Sequence, residues 1–249
     1  MSRFIGKKVL VTGGNSGMGF EAAKEFIREG AEVFITGRNK DTLASALKEL
    51  GPKARMAVSD SGSLKDIAEL AEAIKKEFGH LDAAFINAGV AQFVPLEEIT
   101  EKHFDDTFNT NVKGPLFLVQ KIAPLFKNGG SIVLNGSVVA QLGFPSSAVY
   151  SATKAAVVNL AKTLSTDLMS KNIRVNTLSP GPIDTPIFAR MGGTAAEVQQ
   201  THQHMASQVP LKRLGTVREI ARTVLFLASD DSTFIVGSDI SVDGGIAQL

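Results

Sequence analysis

Short runs of β-branched and apolar residues alternate with longer stretches of helical periodicity along this chain, and that alternation constrains its fold more than any other feature. Runs at 8–12, 32–36, 55–58, 83–87, 131–135, 174–178 and 239–242 read as strands. Helical patterns occupy 18–29, 40–50, 64–78, 101–126, 149–171 and 217–228. Parallel strands need crossover connections, and right-handed crossovers place helices on both faces of the sheet. The expectation is an α/β chain with residues 1–249 forming a single doubly wound domain around a seven-stranded parallel sheet. The 149–171 helix carries Ala156, Leu160, Leu164 and Leu168 on one stripe, which needs burial against the sheet or a second subunit. Residues 180–210 break the rhythm, show no strand and hold Gly192 and Gly193. Residues 183–208 are therefore expected to form a substrate-binding loop insertion.

Composition removes several function classes. The 26 basic and 25 acidic residues leave a net charge of +1 without a basic block, so neither nucleic acid nor an anionic membrane is an expected partner. Without cysteine there is no thiol nucleophile, disulfide or zinc thiolate. His202 and His204 are two apart, which does not place them on one helix face, and no metal site is expected. No signal-peptide pattern or membrane-length apolar run is visible, so the expected location is the cytoplasm, where the sequon at Asn135 carries no meaning for glycosylation.

The first strand runs into T-G-G-N-S-G-M-G, residues 12–19, and then into a helix. Glycines at 13, 17 and 19 allow a tight turn and close approach of backbone to a pyrophosphate, and the helix adds free N–H groups and the positive end of its dipole. Gly13, Asn15, Ser16, Gly17, Met18 and Gly19 are the expected dinucleotide contacts of this turn. At the end of the second strand, an acid would grip the ribose hydroxyls of NAD. Here Gly37 stands in that place and Arg38 follows, a combination suited to a 2′-phosphate, so NADP(H) is the expected cofactor.

Tyr150 is the only tyrosine, against 15 Phe, and it stands four residues before Lys154 in Y-S-A-T-K. Helical spacing puts the two on one face, and an ammonium near a phenol favours phenolate. The pair can move a proton to or from a carbonyl oxygen. Ser137, at the end of V-L-N-G-S, can position that oxygen. Asn111 lies inside a helical pattern four residues before Pro115, which has no N–H, so the Asn111 carbonyl is expected to lack its helical partner.

These stations, in order, resemble the short-chain dehydrogenase/reductase family: the glycine turn, Asp60, N-A-G at residues 87–89, Asn111, Ser137, Tyr150 with Lys154, then Pro180, Gly181 and Thr185. The resemblance covers nearly the whole chain and implies a Rossmann fold. It also implies that Lys154 holds the nicotinamide ribose and that a water links it to the Asn111 carbonyl. By the same resemblance, Asp60 and Ser61 meet the adenine, Asn87, Ala88 and Gly89 lie under its ribose, and Ile183 and Thr185 bind the carboxamide. Ser61 stands where an aliphatic is common, Ile86 where Asn is frequent, and Ser16 where some NADP-preferring relatives carry a second basic residue. The implied activity is carbonyl reduction with hydride from the B face, by a homotetramer acting on a small molecule, with the last strand near a subunit interface. One alternative is a 3-oxoacyl-carrier-protein reductase, with Arg190, Lys212 and Arg213 as a docking surface. Another is a non-catalytic NADP(H) sensor, which would have no need for Ser137, Tyr150 and Lys154.

Overall fold

Apolar residues along the strands alternate between two separate clusters, so both faces of the sheet are buried. The computed structural model describes residues 2–185 and 195–249. Its strands are β1 (Lys8–Val11), β2 (Glu32–Gly37), β3 (Ala54–Val58), β4 (Ala83–Ile86), β5 (Gly130–Asn135), β6 (Ile173–Pro180), β7 (Ile183–Asp184), β8 (Gly215–Thr216) and β9 (Asp239–Val242). The helices are α1 (Gly17–Arg28), α2 (Lys40–Leu50), α3 (Leu64–Phe78), α4 (Glu101–Phe108), α5 (Gly114–Ile122), α6 (Ala148–Leu168), α7 (Ala195–Gln208) and α8 (Val217–Ala228).

Seven strands form one sheet in the order β3-β2-β1-β4-β5-β6-β9, all pairs parallel. This is the expected doubly wound Rossmann arrangement. Leu10, Phe34, Ile86, Ile132 and Leu134 face α3, α5 and α6. Val9, Val11, Val33, Ile35, Phe85 and Val133 face α1, α2 and α8. The strand order reverses at β1, between β2 and β4, and that reversal opens a crevice at the carboxyl ends of the strands.

Three expectations need correction. The helical stretch 101–126 is not one helix: a π-helical turn, Asn109–Lys113, separates α4 from α5, and a 3₁₀ turn, Ala123–Leu125, follows. Pro115 cannot donate to the Asn111 carbonyl four residues back, and the helix widens there, with the Gly114 N–H bonding to the Asn109 carbonyl. On α6 the buried stripe is Val157, Ala161, Leu164 and Leu168, facing the sheet, while Ala156 and Leu160 are only partly covered. The stretch after residue 180 does contain a strand: β7 pairs with β8, with Ile183 opposite Gly215. Residues 187–191, I-F-A-R-M, expected to offer apolar surface to a hydrophobic substrate, lie outside the described residues, as do Gly192 and Gly193; Arg190 is among them.

Candidate active site

A cleft of about 590 Å³ opens over the carboxyl ends of β1, β2 and β4 and reaches α6. Its wall includes fourteen of the expected residues: Gly13, Asn15, Ser16, Gly17, Met18, Arg38, Asp60, Ser61, Asn87, Ala88, Gly89, Tyr150, Lys154 and Thr185. A second cleft, about 430 Å³ at the amino ends of the strands, contains none of them. There Arg3 is engaged by Glu29 and Lys7 by Asp82.

The glycine turn is built for close approach. Gly13 has φ +63°, where a side chain would be strained, and a Cβ there would also fall 2.9 Å from Asn87 Nδ2. A Cβ on Gly19 would lie 2.4 Å from the Gly13 carbonyl oxygen, so the turn closes onto α1 only without one. Ser16, the N-cap of α1, makes no side-chain capping bond, and the first turn has no acidic residue. The helix therefore presents uncapped N–H groups and its positive end to the cleft, which fits a pyrophosphate.

At the end of β2, Gly37 packs against Asn15, and a Cβ there would come within 2.7 Å of Asn15 Oδ1. Asn15 is itself held by Thr42, to whose Oγ1 its Nδ2 donates at 2.8 Å. A carboxylate at 37 would have to displace that amide. Arg38 is exposed and, among the described residues, makes no hydrogen bond or ion pair. Asp60 is not the cap of α3: Ser63 and Asp66 do that work, with Ser63 Oγ accepting from Asp66 N at 3.2 Å. Asp60 instead turns its own loop, accepting from Gly62 N at 2.8 Å, and lines the cleft.

A chain of hydrogen bonds crosses the strand ends toward the reacting side. Thr12 Oγ1 accepts from the N–H groups of Asn87 and Ala88 at 2.9 and 3.0 Å. Asn87 Nδ2 donates to the Thr12 carbonyl at 3.1 Å, and Asn135 Nδ2 donates to Asn87 Oδ1 at 3.2 Å. Lys154 Nζ then donates to the Asn135 carbonyl at 2.7 Å. Asn135 was missed by sequence reasoning; its place at the strand end two residues before Ser137 was the available signal. Its Oδ1 is buried and unpaired among the described residues, on the cleft wall. Thr36, Gly37, Asn39, Thr42, Ser59, Val90, Ala91 and Thr110 also line the cleft and were not singled out as contacts.

Tyr150 and Lys154 share one face of α6, with Lys154 Nζ 5.7 Å from the phenol ring centre. Burial governs both groups. It lowers Lys154 from 10.5 to about 8. It raises Tyr150 above its ordinary value, and the neighbouring Ser137 hydroxyl works in the opposite direction. The expected acidification of the phenol by Lys154 is thus not what dominates here, because desolvation of the phenolate outweighs it. Ser137 is buried and caps the 3₁₀ turn Val138–Ala140 through Val139 N. The Asn111 side chain is fully engaged: Oδ1 accepts from Val90 N at 2.9 Å, and Nδ2 donates to the Val90 carbonyl at 2.9 Å and to Thr153 Oγ1 at 3.1 Å. It clamps the loop after β4 to the helix that carries Tyr150.

Gly19, Asn111, Ser137, Pro180, Gly181 and Ile183 do not line the cleft. Pro180 is buried at the end of β6, Gly181 donates to the Val242 carbonyl at 3.0 Å, and the Ile183 side chain sits in the core. His202 lies 3.9 Å from Asp184, an acidic neighbour that sequence spacing did not reveal. Among the described residues no group of three potential metal-ligating side chains occurs, and no helix is long and apolar enough to cross a membrane.

A glycine turn under an open helix terminus, joined by hydrogen bonds to an ammonium that stands beside a phenol, defines a dinucleotide-dependent oxidoreductase site. Comparison with known proteins agrees. A family profile described as Enoyl-(Acyl carrier protein) reductase matches residues 13–247. The chain is 43% identical to Oxidoreductase asL5 of Sarocladium schorii, across 100% of this chain and 99% of that relative. It is 35% identical to 3-oxoacyl-[acyl-carrier-protein] reductase FabG of Thermotoga maritima, across 98% and 99%. It is 33% identical to tetrahydroxynaphthalene reductase of Pyricularia oryzae, across 96% and 89%. The chain belongs to the short-chain dehydrogenase/reductase family of oxidoreductases, whose members use a nicotinamide cofactor.

Proposed function

We propose that the protein is an NADP(H)-dependent carbonyl reductase, reversible as a secondary-alcohol dehydrogenase, with Tyr150 as its general acid and base. The observation that carries this reading is that Tyr150 and Lys154 line one end of a cleft, with the Ser137 hydroxyl bonded to the phenol, while the other end offers Arg38, unpaired among the described residues, and no carboxylate at 37. Dihydronicotinamide, when bound, supplies the hydride for the substrate carbon. Ser137 holds the substrate oxygen by a hydrogen bond that strengthens as charge develops. Tyr150 donates the proton to that oxygen, and its raised pKa keeps it protonated for the task. Lys154, at about 8, is largely ammonium at neutral pH and stabilises the phenolate left behind. Asn111 holds the loop at Val90 and α6 in register.

On the cofactor side, Gly13 to Gly19 cradle the pyrophosphate, Asp60 and Ser61 meet the adenine, and Asn87, Ala88 and Gly89 back its ribose. Pro180, Gly181 and the Ile183 backbone shape the floor below Thr185, the carboxamide contact. Arg38 pairs with the 2′-phosphate. We further propose a homotetramer in the cytoplasm. β9 pairs only with β6 among the described residues, leaving an edge that a second copy would cover. The acyl-carrier alternative draws on the FabG relative. It needs free cations for an acidic partner; of the expected docking residues, Arg213 is engaged by Glu219 at 2.7 Å and Lys212 by the Ser207 carbonyl at 3.0 Å, while Arg190 lies outside the described residues. Small ketones are therefore the favoured substrates.

Steady-state turnover with each cofactor tests the reading. Charge-assisted hydrogen bonds to a phosphate favour NADPH over NADH by about 10- to 100-fold in kcat/KM. Arg38→Ala should erase most of that ratio. A wild-type preference for NADH would contradict the cofactor assignment.

A further inference from the structure

Two phenylalanine rings stand beside the catalytic phenol with much of their surface uncovered. Phe93 is 43% exposed and Phe144 is 47% exposed. Phe93 meets the Tyr150 ring edge-on at 5.9 Å between centroids, and Phe144 meets Phe93 at 6.1 Å. The three rings form a continuous aromatic surface that starts at the phenol and leads away from the polar cleft. Neither phenylalanine belongs to the dinucleotide wall, which is built largely from glycine and short polar side chains.

The two rings come from separate loops, one after β4 and one before α6, and the backbone ties those loops together. Val94 N–H donates to the Ser146 carbonyl at 2.7 Å. Ser147 Oγ donates to the Phe144 carbonyl at 2.6 Å. Ser146 is held at φ +59°, in the left-handed region that a serine rarely occupies. Such strain persists only where the surroundings over-determine it, and it gathers at functional sites. Here it fixes the turn that presents Phe144.

We infer that Phe93 and Phe144 form the substrate-recognition wall and select carbonyl compounds that carry an aromatic ring near the reacting carbon. This rests on the proposed reductase reading and deepens it. A ring lying on Phe93 and Phe144 covers the exposed apolar surface and keeps its carbonyl within reach of the neighbouring phenol and of Ser137. Aromatic rings gain from edge-on and offset contacts with one another beyond the area they bury, so a flat ring outperforms a saturated one of equal size.

Three methyl ketones with the same unconjugated reacting group test this: 2-butanone, 4-cyclohexyl-2-butanone and 4-phenyl-2-butanone, each with NADPH. The wild type should favour the phenyl compound over 2-butanone by about 10-fold or more in kcat/KM, and over the cyclohexyl compound several-fold. The double variant F93A/F144A should lower the phenyl-to-butanone ratio about 10-fold, with NADPH affinity retained as proof of folding. F93L/F144L keeps apolar bulk, and should lose the phenyl-over-cyclohexyl preference while keeping the preference over 2-butanone. A wild-type ratio near one, or ratios unchanged in both variants, overturns the inference and leaves the reductase reading standing. NADPH oxidation with none of the three ketones sinks the reductase reading itself.

Discussion

Lys154 is the residue whose chemistry depends most on its surroundings. It is 5% exposed, its ammonium has the Asn135 carbonyl as hydrogen-bond acceptor, and burial brings it to about 8. A lysine depressed in the fold binds its proton less tightly than it does in the unfolded chain. Below about 8 the full penalty of burying its charge opposes folding, and the penalty fades as pH rises through 8 toward 10.5. Lys154→Met removes the penalty. In thermal unfolding, the variant should exceed the wild type in stability at pH 7, and the gap should narrow by pH 10. A gap that widens with pH would contradict a desolvated lysine. Sequence spacing did reveal that Tyr150 and Lys154 share a helix face. It could not reveal that desolvation rules both, because nothing local records how much protein surrounds a side chain. Ser137 and Asn111 were legible as positions; that the Asn111 side-chain amide bonds to Val90 and Thr153 was not.

Among the elements, the turn from β1 into α1 decides most about cofactor binding. Gly19 belongs to the helix, but its missing Cβ is what lets α1 seat against the Gly13 carbonyl. Gly19→Ala should cost about 1–3 kcal/mol by overpacking. It should also weaken NADPH binding, because the backbone must shift where the pyrophosphate approaches. Denaturant unfolding and a fluorescence titration with NADPH check the two effects; an unaffected titration would remove the turn from the phosphate site. The seven strands and most helices were legible because the strands are buried on both faces and the helices carry apolar stripes. The break at Asn109–Lys113 was visible only as Pro115; a pattern of apolar residues cannot tell a π turn from a kink. Phe93 and Phe144 gave no signal at all, since they sit in loops without periodicity and meet only through tertiary contact.

For the molecule as a whole, the sheet order places every reacting group at the same edge. Reversal at β1 opens the crevice, and the bonds from Thr12 through Asn87 and Asn135 to Lys154 link the phosphate end to the proton-transfer end. Binding of the dinucleotide and chemistry on the carbonyl are then separable: one belongs to the turn and strand ends, the other to a phenol on α6. The most direct test is Tyr150→Phe, with NADPH affinity and the single-turnover rate of NADPH oxidation by a ketone measured on the same protein. The expected result is unchanged affinity and a rate about 10²- to 10⁴-fold lower, the loss of a general acid. A variant that oxidises NADPH at the wild-type rate would contradict the account at its centre.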